Sequence, residues 1–332
     1  MPATIQVGTG CVDITPPVGV DLCGFAGRAS ANVGVHDPLF AKAVVLDDGQ
    51  TAWAILTSDL IGVSSEIVGA VREQAQEQAG IPAAHVMVTA SHTHSGPHTS
   101  VLRGMGEADG HYVEVLTRKL AGVVQLAANA RRKAAVGWRR GAVQLGVNRR
   151  ERTAEGAVRL GSNPVGPVAA YVDVLSAFDD DGRPRAVLFS HAAHPVVLRA
   201  DNLLVSADYP GYAQSLVARA WPTGPTALFA QGCCGNINVG PRGSFDDARQ
   251  AGEVLGAEVV KCVQNTMPVE RARLGAATRT VELPLADPPP REEAEEQVRR
   301  LRAELDGAIS RGENRGQILW KKGLVAWAED LL

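Results

Sequence analysis

The amino-acid sequence predicts an α/β protein whose core is a mixed β-sheet flanked by helices. Between Thr4 and about Thr280, short β-branched runs alternate with helical patterns, as is typical of strands with helices packed on their faces. Two tight turns between apolar runs predict antiparallel hairpins within the sheet. Hydrophobic residues make up 45% of the 332 residues, which is enough material for a large core.

The first half of the chain contains signals for a hairpin, a helix and a further strand, over residues 44–56, 64–80 and 86–89. The hairpin is predicted because Asp47-Asp48-Gly49 separates two apolar runs and Asp-Gly tolerates the positive φ angles of a tight turn. The helix is predicted to begin after Ser64, whose hydroxyl can cap exposed N–H groups, and to stop at Gly80.

The second half repeats this alternation. A second hairpin, a helix, a strand and a long helix are predicted over residues 171–189, 212–220, 226–230 and 245–264. The turn Asp179-Asp180-Asp181-Gly182 supplies the reversal of the second hairpin. No fixed-period repeat occurs along the chain.

The composition divides the chain after Asp287-Pro288-Pro289-Pro290. We expect residues 1–280 to form an α/β domain and residues 281–332 to form a charged helical C-terminal segment of the same domain. Residues 291–308 are dense in Glu and Arg and carry a narrow apolar stripe, which indicates a surface helix. The helical pattern continues from Gln317 to Leu332 without a cap, so we expect this segment to be cut short.

Composition also excludes several classes of protein. Thirty-three Lys and Arg residues against thirty-six Asp and Glu residues give a net charge of -3, which argues against nucleic acid as a partner. No apolar run approaches the roughly 20 residues of a membrane span, and the start of the chain lacks the pattern of a leader peptide, so a cytoplasmic protein without a transmembrane segment is expected. The five scattered cysteines predict no disulfide framework.

Two histidine clusters each follow a strand. His92 and His94 are two residues apart after the strand 86–89, so on an extended segment their side chains project from the same face. His191 and His194 follow the strand that ends near Phe189. Because strand ends in α/β proteins collect ligand sites and neutral imidazoles suit Zn²⁺, the pattern predicts a zinc centre. We interpret His191 as a satisfied core histidine.

Other residues near strand ends permit two interpretations each. Asp59 and Asp208 either orient a metal-binding histidine or cap a backbone segment, which is the commoner use of such an aspartate. His98 is expected to lie on a solvent-exposed loop. Cys233-Cys234 follows a strand in a glycine-rich bend, but without an adjacent Lys, Arg or His the pair is better explained as buried packing than as a nucleophile.

Taken in order, several segments resemble the N-terminal catalytic domain of the neutral/alkaline non-lysosomal ceramidases, over roughly residues 5 to 260. The most specific is His92-Thr93-His94-Ser95-Gly96-Pro97. The other matching segments are Val7-Gly8-Thr9-Gly10, Asp13-Ile14-Thr15-Pro16-Pro17, Gly34-Val35-His36-Asp37-Pro38-Leu39, Ser58-Asp59-Leu60, Asn148-Arg149, Asn163-Pro164, His194-Pro195, Asp208-Tyr209-Pro210-Gly211-Tyr212 and Phe229-Ala230-Gln231.

The resemblance implies a metallohydrolase-like fold and a Zn²⁺-dependent amidase that hydrolyses ceramide, or a related lipid-like N-acyl amine, with metal-activated water. It implies that His92 and His194 bind zinc and that His94 acts beside the metal in proton transfer or oxyanion stabilisation. Arg149 is assigned to the substrate pocket, and so are His36 and Asp59, which lie in matching segments.

The sequence departs from the family pattern at two places. After Phe-Ala-Gln the family reads Gly-Asp-Val-Ser-Pro-Asn, whereas this chain has Asn238 at the place of the serine, so Asn238 is assigned a catalytic position as a hydrogen-bond donor. The family's remaining zinc ligands, a glutamate and a tyrosine, belong to a C-terminal stretch outside these residues. Either the chain is a fragment that lacks the segment with these ligands, or Asp59 or His94 completes the metal sphere. We expect the chain to be a divergent bacterial relative of the family. A catalytically inactive relative that binds a ligand or partner is the alternative function.

Overall fold

The computed structural model describes residues 4–332 and has an eight-stranded mixed sheet at its centre. The strands are β1 (Thr4–Asp13), β2 (Gly34–Val35), β3 (Phe40–Asp47), β4 (Ala52–Ser58), β5 (Val86–Ala90), β6 (Arg132–Ala142), β7 (Gly146–Arg152), β8 (Val158–Asn163), β9 (Tyr171–Phe178), β10 (Pro184–His191), β11 (Leu204–Val205), β12 (Thr226–Gln231) and β13 (Ile237–Val239). The helices are α1 (Ser65–Ala79), α2 (Gly110–Asn129), α3 (Asp208–Arg219), α4 (Phe245–Gln264), α5 (Arg291–Ser310) and α6 (Arg315–Glu329).

The central sheet has the strand order β12-β10-β9-β6-β1-β3-β4-β5. Strands β10 and β12 are parallel, as are β4 and β5, and the other neighbouring pairs are antiparallel. The predicted α/β class with a mixed sheet is therefore confirmed. The sheet curls strongly, so that β12 at one edge comes within 8 Å of β3, β4 and β5.

Several strands and helices lie where local sequence signals predict them. β3 and β4 pair antiparallel around the Asp-Gly turn, with Asp47 opposite Ala52. Helix α1 is capped by the Ser64 side chain and ends at Gly80, whose φ of 65° is left-handed. The second predicted hairpin is formed by β9 and β10. The predicted helix 245–264 is α4, whose capping box joins Ser244 and Asp247.

The structure also differs from the predicted boundaries. Helix α3 begins at Asp208, four residues before the predicted start. The Asp208 carboxylate accepts hydrogen bonds from the backbone N–H groups of Tyr209 (2.6 Å) and Leu198 (3.1 Å). Helix α6 ends at Glu329 rather than continuing to the last residue. The sequence patterns did not locate β1, α2, β6, β7, β8 or β13.

Apolar clusters lie on both faces of the sheet. Along β3, Ala43 and Val45 face α1 and α2, where they pack with Leu116 and Leu120. The alternate β3 residues Val44 and Leu46 face the inside of the curl, as the two-residue period of a strand requires. A third cluster fixes α3 and α4 against β9, β10 and β12. This packing holds the carboxyl ends of β5 and β10 in place.

The C-terminal helices α5 and α6 pack against each other through a small apolar cluster, which consists of Val298, Leu301, Val325 and Ala328. Helix α6 reaches the rest of the molecule through Arg315, which is 2.7 Å from the buried Asp21 carboxylate. The division at residue 280 stays a prediction. Within residues 4–332, no helix combines the length and apolar character that crossing a membrane requires.

Candidate metal centre

Three imidazoles from two strand ends converge on one point. His92 and His94 follow β5 and His194 follows β10, and one ring nitrogen from each lies within 4.8 Å of the others. The ring centroids are 4.7 Å apart for His92 and His194, 5.1 Å for His92 and His94, and 5.2 Å for His94 and His194. The three histidines selected from the sequence are thus brought together, while the role of each stays a prediction.

Backbone contacts hold the two histidine loops together. The His94 N–H donates to the Pro195 carbonyl (3.3 Å), which joins one loop to the other. The Gln231 amide adds a second connection, because its Nε2 donates to the carbonyls of Ser91 (3.1 Å) and Ala193 (2.9 Å). His92 adopts a left-handed φ of 68°, which is unusual for a residue with a Cβ. The mutual position of the imidazoles is therefore set by the scaffold.

Carbonyl groups fix the tautomers of two of the rings. His92 Nδ1 is 2.7 Å from the Ile61 carbonyl oxygen, and His194 Nδ1 is 3.1 Å from that of Cys234. Since a carbonyl oxygen only accepts, each Nδ1 carries the proton and donates it. In the neutral form of each ring, Nε2 then has a free lone pair, which is the arrangement found in histidines that bind metals.

His94 completes the donor set. Neither of its ring nitrogens has a hydrogen-bond partner in the part of the chain that the structure describes, although both are buried. Burial, followed by the neighbouring His92 and His194, lowers the pKa of His94 to about 2, and burial lowers that of His194 to about 4. Both imidazoles are therefore neutral near pH 7. Three imidazoles whose ring nitrogens converge on one point fit a zinc ion.

A loop that the sequence reasoning did not select forms one wall of the centre. The Phe25 ring meets His94 edge-on at 5.0 Å, and the Arg28 guanidinium donates from Nη2 to the His94 carbonyl (2.9 Å). Gly24 has a φ of 114°, and a Cβ at this position would lie 2.5 Å from the His94 ring. Gly24 can be seen in the sequence, but the sequence does not show that it contacts a histidine ring seventy positions away.

Arg149 and Asn238 lie beside His194. Asn238 on β13 forms an isolated β-bridge with His194, and its side chain is buried. The Arg149 guanidinium donates from Nη1 to Asn238 Oδ1 (3.4 Å) and from Nε to the Gly235 carbonyl (3.0 Å). The structure therefore places these two predicted site residues next to the histidine cluster.

His36 and Asp59 occupy other positions. The His36 ring stacks on Phe245 at 3.7 Å and its Nδ1 is 2.9 Å from an Asp37 carboxylate oxygen. Asp59 is buried and accepts from the Phe40 backbone N–H (2.9 Å) and from the Gln214 amide (3.0 Å). Neither residue hydrogen-bonds to the three histidines within residues 4–332. Their assignment to substrate binding stays a prediction.

Two histidine interpretations need correction. His98 is buried, not exposed on a loop, because the chain folds back and His98 Nε2 lies 2.7 Å from the Leu102 carbonyl oxygen. His191 is a core residue whose Nδ1 donates to the Tyr171 carbonyl (2.8 Å). However, its Nε2 has no partner among the described residues, so it is only half satisfied.

The cysteine alternative gains no support from the site. All five cysteines are free, and Cys234 is buried while Cys233 is exposed. Burial raises the pKa of the Cys234 thiol, which is opposite to the shift that a nucleophilic thiolate needs. The Cys234 backbone contributes instead, through the carbonyl that orients His194.

Comparison with known proteins identifies relatives of the whole region that carries the site. Residues 5–238 match the family model described as neutral/alkaline non-lysosomal ceramidase, N-terminal. The chain is 28% identical to neutral ceramidase A of Dictyostelium discoideum over 265 residues, which cover 73% of this chain and 37% of the relative. It is 27% identical to neutral ceramidase B of the same organism over 268 residues, covering 73% of this chain and 36% of that protein.

Solved structures show the same fold. The crystal structure of neutral ceramidase from Pseudomonas aeruginosa matches with a TM-score of 0.67 and 20% identity, over 80% of this chain and 45% of that one. A ceramidase structure described as complexed with C2 matches with a TM-score of 0.68 and 20% identity, over 80% of this chain and 44% of that one. The chain thus spans less than half the length of each of these relatives.

Proposed function

The chain belongs to the neutral/alkaline non-lysosomal ceramidase family, and from this premise we propose that it hydrolyses the amide bond of ceramide or a related N-acyl amine with zinc as its cofactor. The observation that carries the proposal is the convergence of three imidazoles, whose ring nitrogens lie within 4.8 Å of one another. The ceramidase structure described as complexed with C2 supports a lipid-like amide as the substrate class.

We assign the zinc ion to His92, His94 and His194. Of the two residues considered for completing the metal sphere, His94 has its ring in the cluster, whereas both carboxylate oxygens of Asp59 are engaged elsewhere. Three protein ligands leave one position open, as catalytic zinc sites require. When bound there, zinc would polarise the amide carbonyl and lower the pKa of water.

The neighbouring side chains of this protein supply polar groups where charge develops during amide hydrolysis. Arg149 carries a permanent positive charge and Asn238 carries amide N–H donors, and both lie beside His194. A donor held in place before reaction stabilises a developing oxyanion without reorganisation. We therefore assign Arg149 and Asn238 to orienting the carbonyl oxygen. Asn238 cannot act as a nucleophile.

Replacement of Arg149 tests this assignment. In Arg149→Met, kcat/KM for a fluorescent N-acyl sphingosine is expected to fall by about 10²–10³-fold, the usual cost of losing one oxyanion donor, while zinc affinity changes little. The matched control is Arg150→Met, because Arg150 is the exposed neighbour on the same strand and its side chain forms no hydrogen bond to the three histidines within residues 4–332. Hydrolysis is measured by release of the labelled fatty acid, and zinc by chelator competition.

The assay also distinguishes the enzyme from the alternative function. Hydrolysis that disappears with a chelator and returns with zinc supports the proposal. A zinc-loaded protein that binds N-acyl amines without releasing fatty acid supports an inactive relative, for which Asn238 in place of the family serine is the specific observation. Hydrolysis that persists without metal contradicts both proposals.

A further inference from the structure

A cavity of about 540 Å³ lies away from the histidine cluster. It is bounded by β3 and β12 on one side and by α3 and α4 on the other, and it includes the carboxylate of Asp59. Neither the three histidines nor Arg149 and Asn238 belong to its described lining. Its volume is within the range of about 300–1,000 Å³ that is usual for small-molecule sites.

The floor of this cavity is a lysine held among hydrogen-bond acceptors. Lys42 Nζ donates to Gln214 Oε1 (2.7 Å) and to the Ala227 carbonyl (2.9 Å). An ammonium group has three N–H donors, so two are used and one is available to a ligand. Within residues 4–332, no third acceptor lies at hydrogen-bond distance from Nζ.

The acidic groups of the lining are already engaged. Asp59 is joined to Lys42 only through the Gln214 amide, and its second oxygen accepts from the Phe40 N–H. Asp37 accepts from the Ala207 N–H (2.8 Å) and contacts His36, and Glu253 is paired with Arg249 (3.0 Å). Lys42 therefore forms no direct ion pair in the described chain, although the nearby Asp59 carboxylate favours its charged form.

The walls are largely apolar. They consist of the Phe40 and Tyr212 rings together with Pro38, Ala218 and Pro225. Arg219, also in the lining, is exposed and has no ion-pair partner among the residues that the structure describes. The cavity therefore combines an ammonium group that has a free donor, a largely apolar wall and an exposed second cation in its lining. This combination matches an amphiphile with one anionic group.

We propose that this cavity binds a monocarboxylic acid with an apolar chain, whose carboxylate accepts from Lys42 and whose chain lies along Phe40 and Tyr212. Burial lowers the pKa of Lys42, and a bound carboxylate would offset that cost of desolvation. The proposed ligand site is separate from the histidine centre, so it does not depend on amide hydrolysis.

Binding of decanoate to the purified protein, measured by titration calorimetry below its micelle concentration, tests the proposal. We expect saturable 1:1 binding that falls at least about tenfold in Lys42→Met, which keeps the side-chain length but removes the charge. The matched control Lys322→Met changes an exposed lysine outside the cavity and is expected to bind as the wild type does. Decanol, which lacks the carboxylate, is expected to bind at least tenfold more weakly than decanoate.

A second variant keeps the test informative if Lys42→Met does not fold. Ala218→Phe leaves Lys42 in place but fills part of the wall, and it is expected to weaken decanoate binding by a similar factor while zinc binding is unchanged. The proposal is overturned if decanol binds as tightly as decanoate, if decanoate binding is not saturable, or if the folded variants bind like the wild type.

Discussion

Replacing His92 by glycine is expected to lower the zinc affinity of this protein by about 10²-fold or more, because it removes one of three imidazoles that share a single point. Glycine is the informative replacement, since His92 has a φ of 68° and glycine adopts that conformation without steric cost. The change therefore removes the ligand without straining the loop. Competition with a chromophoric chelator measures the affinity directly.

Three further variants show whether the loss of zinc affinity is specific to the clustered histidines. His94→Ala and His194→Ala are expected to lose zinc affinity to a similar extent, whereas His111→Ala changes an exposed histidine on α2 and should have no effect. Circular dichroism confirms that each variant is folded. Zinc affinity equal to wild type in the folded His92→Gly protein would exclude His92 as a ligand.

The second large effect is expected from Gly24→Ala. The added methyl group would lie 2.5 Å from the Cγ and Nδ1 atoms of His94, a distance at which one of the two groups must move. We expect zinc affinity to fall by about 10-fold or more, since histidine position controls affinity in metal sites. Chelator competition is again the measurement, together with the melting temperature.

Gly19→Ala is the control for backbone strain. Gly19 has a φ of 95°, close to the 114° of Gly24, but a Cβ at Gly19 would have no neighbour within 4 Å. Both substitutions therefore cost stability through the backbone, by about 1 kcal/mol or more. Only Gly24→Ala should also lower zinc affinity. Equal affinities in the two variants would show that the loop does not position His94.

The elements that could be predicted are those whose signals are local. Turn chemistry at Asp48-Gly49 and capping by Ser64 act over a few residues, and the structure has both features. The strands β1 and β6 were not located because they pair with segments far along the chain. Their identity depends on tertiary packing more than on local propensity.

The same contrast applies to the site. His92 and His94 could be selected because two residues on an extended segment share a face, and His194 because it follows a second strand. The contact of Phe25 and Arg28 with His94 joins segments more than sixty positions apart, which no local pattern specifies. His98 was misassigned for a related reason, since its burial results from a loop that folds back on Leu102.

The position of Asp59 illustrates a different limit. Its place after β4 suggested a role near the strand-end histidines, but its side chain points to the Gln214 and Lys42 pair. That pair exists because the sheet curls until the Ala227 carbonyl on β12 reaches the Lys42 ammonium. Sheet curvature is a property of the whole fold, so the cavity around Lys42 could not be predicted from the sequence.

The central claim is that one zinc ion is held by His92, His94 and His194. The most direct test is a crystal structure of the zinc-loaded protein with diffraction data collected on both sides of the zinc absorption edge. We predict one anomalous peak at the three rings, with Zn–N distances of about 2.0–2.1 Å. A zinc-loaded crystal with its anomalous peak elsewhere, or with a peak that contacts only one of the three imidazoles, would contradict the account.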